Sequence, residues 1–172
     1  VFHIYGLPVD MDPVLELARK HGLKVIEDAA EEIGQVYQST KHSAPSTIPQ
    51  SCGSFGDVST LSFYPNKHVT AGEGGMVVVN DDALAERCRD LRNLFFGRQR
   101  RFVHEELGYN FRMSNLQAAV GVAQMERLDL SIRRKREIGR RYQEGLGNLP
   151  NVQLPLPRTD YAENIYWVFG LV

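Results

Sequence analysis

Short apolar runs separated by polar stretches mark the predicted strands of this chain. The apolar runs are residues 1–5, Leu23 to Ile26, Val58 to Tyr64 and Met76 to Val79. The last of them is nearly all β-branched, which predicts a strand buried on both faces. A strand, a helix and a second strand at the spacing seen in the first 26 residues predict a right-handed βαβ unit in a parallel sheet.

An amphipathic stretch between the first two predicted strands indicates a helix. Asp12 is its predicted N-cap, with Pro13 at the first helical position, where a missing N–H costs nothing. Gly22 fits the end of this helix, because glycine readily adopts the left-handed conformation that closes many helices.

Two further helical regions follow the last predicted strand. Asp81 or Asp82 can cap the first of them, and its apolar residues fall at a spacing of four, three and four, which predicts a stripe facing the core. These residues are Leu84, Cys88, Leu91 and Phe95. Ser114 and Gln117 form a predicted capping box that opens a longer helical region, with a break, ending near Leu146.

Two segments have the composition of connections. Residues 38–56 are rich in Ser, Thr, Pro and Gly and predict a loop that is long for a compact domain. Residues 150–160 carry three prolines and predict a linker. A strand-like run at each end of the chain indicates a segment of a longer protein, although a compact domain that uses terminal strands is the alternative.

The composition is that of a globular protein. The 172 residues are 42% hydrophobic and 24% charged, with a net charge of -1. This charge gives no field that recruits nucleic acid or membrane, and no apolar stretch has the length of about 20 residues that a membrane span needs. Cys52 and Cys88 lack metal-ligand spacing and are interpreted as reduced thiols of a cytoplasmic protein. The five histidines are scattered, so no metal site is predicted.

A lysine and an aspartate each follow a predicted strand. Asp28 ends an apolar run, and Lys67 lies on a Pro-Asn turn just after another. Because ligands of open α/β sheets bind at the carboxyl ends of the strands, both side chains can face one crevice. Taken alone, each has an ordinary explanation: a surface lysine in a polar loop, and an aspartate that caps a helix.

Together, the two residues meet the minimum requirement for pyridoxal 5'-phosphate (PLP) chemistry. Lys67 can serve as the nucleophilic amine if its pKa falls below the usual value of about 10.4. Asp28 can hold the proton on the cofactor's ring nitrogen, and Ser62 offers a hydroxyl to the phosphate. The glycine-rich Gly72 to Gly75 segment either lets the backbone approach a ligand closely or simply makes a turn.

Five motifs in order carry a resemblance to a known family. They are Glu27-Asp28-Ala29-Ala30, Gly53-Ser54-Phe55-Gly56-Asp57-Val58, Ser62-Phe63-Tyr64-Pro65-Asn66-Lys67, Gly72-Glu73-Gly74-Gly75-Met76 and Gly108-Tyr109-Asn110-Phe111-Arg112-Met113. Together they closely resemble the DegT/DnrJ/EryC1 (ArnB-type) family of PLP-dependent sugar aminotransferases. The stretch from Arg101 to Asn110 is most similar to the GDP-perosamine synthase branch of this family.

The resemblance implies a fold-type I PLP-transferase large domain, a three-layer α/β/α structure with a mostly parallel sheet. Residues 1–149 would be its central part, and residues 150–172 the linker and the start of a C-terminal small domain. The implied cofactor-binding residues are Asp28, Ala30, Glu31, Ser62, Lys67 and Asn110. The family has sequence on both sides of this segment, so the chain alone would hold half a site.

Each of these positions has a role in the relatives. Lys67 matches the lysine that carries the cofactor and moves protons, and Asp28 matches the carboxylate on the ring nitrogen. Ala30 matches the small residue packed on the ring, and Ser62 matches a phosphate ligand. Glu31 occupies a position that approaches the cofactor's 3-hydroxyl or the sugar.

The resemblance also implies a homodimer with shared active sites, because Asn110 matches an asparagine that reaches the partner's phosphate. The implied reaction transfers an amino group from glutamate to a nucleotide-linked 4-keto-6-deoxy sugar. One alternative is a dehydratase of the same family, which Lys67 disfavours because dehydratases carry histidine there. The other is a non-catalytic segment that binds a nucleotide sugar.

Several further residues have two interpretations. The arginines Arg98, Arg100 and Arg101 could meet a nucleotide diphosphate or could form a surface cluster. His68 could modulate the neighbouring amine. The aromatic residues Phe95, Phe96, Tyr166 and Trp167 are assigned to the core rather than to a stacking platform.

Overall fold

The computed structural model describes residues 1–41, 48–96, 100 and 102–172. Within these ranges its elements form a mixed α/β structure, as expected, with five strands between the first and second helices. In chain order they are α1 (Met11–His21), β1 (Ile26–Asp28), β2 (Val36–Tyr37), β3 (Gln50–Ser51), β4 (Val58–Ser62), β5 (Gly75–Val79), α2 (Asp82–Arg92), α3 (Asn115–Met125) and α4 (Leu128–Leu146). No helix in the described ranges combines the length and apolar character needed to cross a bilayer.

The central sheet has the strand order β1-β4-β5. β1 and β4 run parallel, with Ile26 opposite Val58. β5 runs antiparallel to β4, so the sheet is mixed. Residues 1–5, predicted as a strand, contribute one parallel bridge between Phe2 and Asp28.

The side chains of β5 are more exposed than their composition predicted. Met76, Val77 and Val78 are 50%, 52% and 37% exposed, so the expectation of a strand buried on both faces was wrong. β5 lies at the edge of the described sheet, and of the described helices only α2 has extensive contacts with it. β-branched composition therefore predicted the strand correctly but not its burial, which depends on neighbours.

α1 begins two residues earlier than the predicted cap suggested. Asp10, not Asp12, is the N-cap, and its side chain accepts a hydrogen bond from the Asp12 N–H at 3.1 Å. Pro13 therefore lies at the third helical position, where a proline is still tolerated in the first turn. Gly22 ends the helix with a φ of 63°, as predicted.

The remaining helix boundaries agree with the sequence. Asp81 caps α2 through the Leu84 N–H, and Ser114 and Gln117 form the predicted capping box of α3. The helical region breaks between α3 and α4 at residues 126–127. The predicted core stripe on α2 is only partly correct, since no residue of that helix is buried.

The loop predicted for residues 38–56 contains a short strand. β3 pairs antiparallel with β2, with Val36 opposite Ser51. Residues 42–47 of this segment lie outside the described residues. Behind the pair, Tyr37 packs with Met11 and Cys52 in a buried apolar cluster.

A second apolar cluster supports the turn that carries Lys67. Ile33, Phe63, Val69 and Ala71 are buried together, and they lie on both sides of that turn in sequence. Burying a large apolar side chain contributes about 1.5–3 kcal/mol. The ends of the turn are therefore anchored, which fixes the position from which Lys67 projects.

Candidate active site

Lys67 lies on a tight turn after the carboxyl end of β4. Its backbone N–H donates to the Tyr64 carbonyl at 3.0 Å. Its side chain is only 9% exposed, and Nζ lies 3.8 Å from Oε1 of Glu31. The turn thus directs the amine inward, and it is not a solvated surface lysine.

The environment of Lys67 lowers the pKa of its amine, with burial as the largest cause. Burial lowers the pKa of Lys67 below its ordinary value, while the charges of Glu31 and Asp28 act in the opposite direction and raise it. Loss of the proton makes a lysine nucleophilic, so this lowered pKa is the property that covalent catalysis requires.

Asp28 is the last residue of β1 and is close enough to influence the Lys67 amine. Its Oδ1 accepts hydrogen bonds from the Ala30 N–H at 3.1 Å and from the Thr60 hydroxyl at 3.3 Å. Among the described residues, no group donates to its Oδ2. The carboxylate is therefore held through one oxygen, and the second can accept a hydrogen bond from a ligand.

Two consecutive glutamates, Glu31 and Glu32, form hydrogen bonds to the backbone of the turn at residues 5–6. Oε2 of Glu31 accepts the Tyr5 N–H at 2.7 Å, and Oε1 of Glu32 accepts the Gly6 N–H at 3.0 Å. Gly6 has a φ of 95°, and a Cβ there would lie 2.7 Å from the backbone nitrogen of Tyr166. A glycine is required at this point because the chain bends left-handedly and a second segment approaches closely.

Glu32 is a buried acid that the sequence analysis did not single out. Its side chain is fully buried, and its Oε2 has no hydrogen-bond partner. Burial raises its pKa to about 8, an effect that the Gly6 N–H opposes and the Glu31 charge reinforces. Because a carboxylate with one unpartnered oxygen is costly in an apolar interior, the neutral form is favoured.

Ala30 follows the end of β1, and Ser62 is the last residue of β4. Ala30 is half-buried, and its N–H bonds to Asp28. The Ser62 hydroxyl, at the end of β4, accepts a hydrogen bond from the Tyr64 N–H at 3.3 Å. Ser62 and Lys67 therefore belong to one strand-and-turn connection, while Asp28 and Ala30 belong to the neighbouring one.

Asn110 lies on a different segment. It is exposed and forms an antiparallel bridge with Asn93. No contact among the described residues joins it to Lys67, Asp28 or Ser62. Of the three arginines weighed as diphosphate ligands, Arg98 and Arg101 lie outside the described residues and Arg100 is exposed.

Trp167 also contacts this site, which its position in the sequence did not indicate. The Lys67 Nζ lies 3.6 Å from the centroid of the Trp167 ring. The indole N–H donates to the Asn66 carbonyl at 3.0 Å. The apolar run around Trp167 indicated a core residue, and no local pattern could reveal a contact made so far along the chain.

His68, next to Lys67, points into the protein. It is buried, and its Nε2 has no hydrogen-bond partner. Burial lowers its pKa to about 4, and the charges of Lys135 and Lys67 add to this effect. The imidazole is therefore neutral at physiological pH and places no second positive charge beside the amine.

A large cavity lies away from Lys67. A cavity of about 1020 Å³ lies between α4 and residues 157–163, and Lys67 is not among its lining residues. Within the ranges that the structure describes, no group of three or more His, Cys, Asp or Glu side chains could hold a metal ion.

Curated proteins with assigned names match almost the whole chain. GDP-perosamine synthase of Caulobacter vibrioides is 40% identical over 168 residues, which are 97% of this chain and 42% of that protein. GDP-perosamine synthase of Escherichia coli O157:H7 is 43% identical over 170 residues, 99% of this chain and 43% of that protein. The chain thus spans less than half the length of these curated relatives.

Solved structures give the same grouping. DesV of S. venezuelae, in complex with a ketimine intermediate, superposes with a TM-score of 0.83 at 37% identity, covering 99% of this chain and 43% of that one. NtdA of Bacillus subtilis, with bound cofactor PMP, gives a TM-score of 0.75 at 27% identity, covering 99% of this chain and 36% of that one. The profile of one family matches residues 1–171. The chain therefore belongs to the DegT/DnrJ/EryC1/StrS aminotransferase family.

Proposed function

We propose that this protein is a PLP-dependent aminotransferase that transfers an amino group, with glutamate as donor, to a nucleotide-linked 4-keto-6-deoxy sugar. The observation that carries the proposal is the buried Lys67 amine, whose pKa is lowered and which lies close to two carboxylates. Family membership supports the reaction class, and the perosamine synthases among the relatives support the kind of substrate.

The residues present fit the cofactor. An amine of lowered pKa, a carboxylate with an oxygen to spare and a hydroxyl are the groups needed at its aldehyde, ring nitrogen and phosphate. Lys67, Asp28 and Ser62 would supply them, with Ala30 against the ring and Glu31 beside the 3-hydroxyl or the sugar. When bound, the cofactor supplies an electron sink for the carbanion that forms at the amino-bearing carbon.

The chain's own groups manage protons and charge. Once it no longer holds the cofactor, Nζ of Lys67 would act as a positioned general base and acid. It would take a proton from the amino-bearing carbon and return it to a second carbon. Asp28 would hold the proton on the cofactor's ring nitrogen through Oδ2, because Oδ1 is already occupied by the Ala30 N–H and the Thr60 hydroxyl. Glu31 limits how far the pKa of Lys67 falls, so that the amine can still hold a proton.

We infer that the active protein is a homodimer with shared sites, in which Asn110 reaches the partner's phosphate group. In support, Asn110 is exposed, and the rings of Tyr109 and Phe111 on either side stack with each other 5.0 Å apart while both stay exposed. The first helix after this segment, α3, also exposes apolar side chains, with Leu116 82% and Val122 61% exposed. Exposed apolar faces of this kind are typical of association surfaces.

We also propose a domain layout and a cellular location. Residues 1–149 are proposed as the central part of the large domain, and residues 150–172 as the linker and the start of the small domain. A cytoplasmic location is proposed because both described cysteines, Cys52 and Cys88, are free thiols.

An absorbance scan of the protein with PLP tests the proposal. The parent should develop the band of a lysine-linked cofactor, and Lys67→Ala should lose it. Lys24→Ala is the control, since the Lys24 side chain is 84% exposed. An unchanged band in Lys67→Ala would refute the assignment of the amine.

A second assay separates aminotransfer from its alternatives. The protein is incubated with glutamate and a nucleotide-linked 4-keto-6-deoxy sugar, and glutamate consumption is followed. Aminotransfer consumes glutamate in proportion to the amino sugar formed. A sugar product that loses water while glutamate is untouched would indicate a dehydratase, and binding without any turnover would indicate a non-catalytic protein.

A further inference from the structure

The segment from Asn164 to Trp167 is distant in sequence from the turn that carries Lys67 but contacts it in the structure. Ile165 is fully buried, and its N–H donates to the Gly6 carbonyl at 3.0 Å. Asn164 is almost fully buried, and its amide donates to the Leu156 carbonyl at 2.9 Å. The segment is therefore built into the structure beside the turn that holds Glu31 and Glu32.

A strained residue sets the direction of Trp167. Tyr166 is not a glycine, yet its φ is 51°, a conformation that L-residues adopt at a cost. The Asn164 side chain stabilises it by accepting the Tyr166 N–H at 2.6 Å. Strain of this kind persists where the surroundings over-determine the backbone, and such positions cluster at functional sites.

The surroundings of the strained residue support this interpretation. The Tyr166 ring fills the space at Gly139 of α4, where a Cβ would lie 2.3 Å from the ring. Nζ of Lys135 donates to the Trp167 carbonyl at 3.1 Å. α4 thus holds both Tyr166 and Trp167. The backbone bend at Tyr166 directs the Trp167 indole toward Lys67.

Trp167 contacts Lys67 in two ways. The face of its ring lies 3.6 Å from Nζ, within the range in which the ring quadrupole attracts an ammonium group. Its N–H bonds to the carbonyl of Asn66, so it also fixes the peptide that precedes Lys67. Trp167 therefore contacts both the amine of Lys67 and the backbone just before it.

We propose that Trp167 is the positioning residue of Lys67. The Trp167 ring stabilises the protonated amine at a fixed place. The Trp167 N–H holds the turn in position through the Asn66 carbonyl. The proposal rests on the function assigned above to Lys67, because a positioned proton matters only if Lys67 moves protons. The Trp167 ring has two effects on the Lys67 proton: its face attracts the ammonium form, and its bulk shields the amine from water. The variants are chosen to separate these two effects.

The first test measures the pKa of the Lys67 amine in the cofactor-free protein. The rate of acylation of Lys67 is followed against pH by peptide mass spectrometry in the parent, Trp167→Phe and Trp167→Leu. Leucine keeps an apolar cover but lacks an aromatic face, so the pKa should be lower in Trp167→Leu than in Trp167→Phe and the parent. Tyr142→Leu, which removes a ring from α4, is the control and should leave it unchanged.

The second test uses the emission of Trp167 itself. The difference between the parent and Trp167→Phe isolates this emission, and it should titrate with pH at the midpoint found for Lys67. The titration should disappear in Lys67→Met. In the loaded enzyme, kcat of Trp167→Leu should fall about tenfold with little change in KM, because the ring acts on the amine and not on substrate binding.

The outcomes distinguish this inference from the proposed function. If the cofactor links to Lys67 but the pKa of the amine is the same in Trp167→Leu and the parent, Trp167 is not its positioning residue. If no cofactor links to Lys67, the proposed function fails, while the acylation and emission titrations still decide whether Trp167 holds the amine. If the leucine variant fails to fold, the emission test still decides, because the pH titration of Trp167 emission must be present in the parent and absent in Lys67→Met.

Discussion

Lys67 and Glu31 form a buried contact of 3.8 Å between Nζ and Oε1, with both side chains about nine-tenths buried. Two opposed effects meet in this contact. Burial lowers the pKa of Lys67, and the carboxylates of Glu31 and Asp28 raise it. The balance suits an amine that must attack in its neutral form and then carry a proton, and it makes the pKa of Lys67 the quantity to measure.

Removing either carboxylate should lower the pKa of Lys67 further. Glu31→Gln and Asp28→Asn keep the size of the side chain but remove the charge that favours the ammonium form. The pH dependence of Lys67 acylation in the cofactor-free protein measures this shift. Glu73→Gln, at an exposed position of the glycine-rich segment, should have no effect. A pKa that stays constant in all three variants would show that the carboxylates do not act on the amine.

Glu27 should be a main determinant of stability. Burial alone would raise its pKa, but hydrogen bonds from His3 and from the N–H groups of Gly53, Gly56 and Phe55 lower it from 4.5 to about 2. A depressed pKa stabilises the fold fully above the unfolded value of 4.5, and the contribution is lost as pH falls toward 2. Glu27→Gln should lower the free energy of unfolding by about 3 kcal/mol at neutral pH and by much less in acid.

Urea denaturation at several pH values measures the effect of Glu27→Gln. Glu144→Gln is the matched control, because Glu144 is an exposed residue whose ion pair with Arg140 joins neighbouring turns of α4. Such pairs contribute less than about 0.5 kcal/mol. Equal losses in the two variants would mean that the buried network around Glu27 adds nothing to stability.

Glu32 should have the opposite pH dependence. Its pKa is raised from 4.5 to about 8, so the folded protein keeps a proton that the unfolded chain loses. Its contribution is therefore complete below pH 4.5 and is lost as pH rises toward 8. Glu32→Gln removes the ionisation and should stabilise the protein by up to about 3 kcal/mol near neutral pH, with little change in mild acid. Destabilisation of equal size at both pH values would contradict this prediction.

Two impaired variants should restore activity when mixed, if the sites are shared between subunits. In a heterodimer of Lys67→Ala and Asn110→Ala, one site receives both substitutions and the other receives none. Equal mixing makes about half of the dimers mixed, so about a quarter of the parent activity should return after subunit exchange. The activity of the mixture and of each variant alone is measured. A mixture no more active than its components would argue against the role of Asn110 across an interface.

The sequence predicted the parts of the fold that depend on local chemistry. The capping box at Ser114 and the end of α1 at Gly22 were both found. Each depends on residues close together in the chain. The N-cap of α1 was misplaced because Asp10 and Asp12 are both good caps, and local composition does not choose between them.

Features that depend on distant neighbours could not be predicted in this way. The exposure of β5 depends on which elements cover it, and the contact of Trp167 with Lys67 depends on a bend at Tyr166. Glu32 was overlooked because a pair of adjacent glutamates usually indicates a solvated surface. The approach of Asp28 to Lys67 was predicted because the ends of neighbouring strands meet at one edge of a sheet. Glu31 was named only through the family resemblance.

The most direct test of the central claim is to find where the cofactor is attached. The protein is incubated with PLP, reduced with borohydride to make the link permanent, digested, and mapped by mass spectrometry. The label should lie on the peptide that contains Lys67, and Asp28→Asn should change the absorbance of the bound cofactor without moving the label. A label on another lysine, or none on Lys67, would contradict the account.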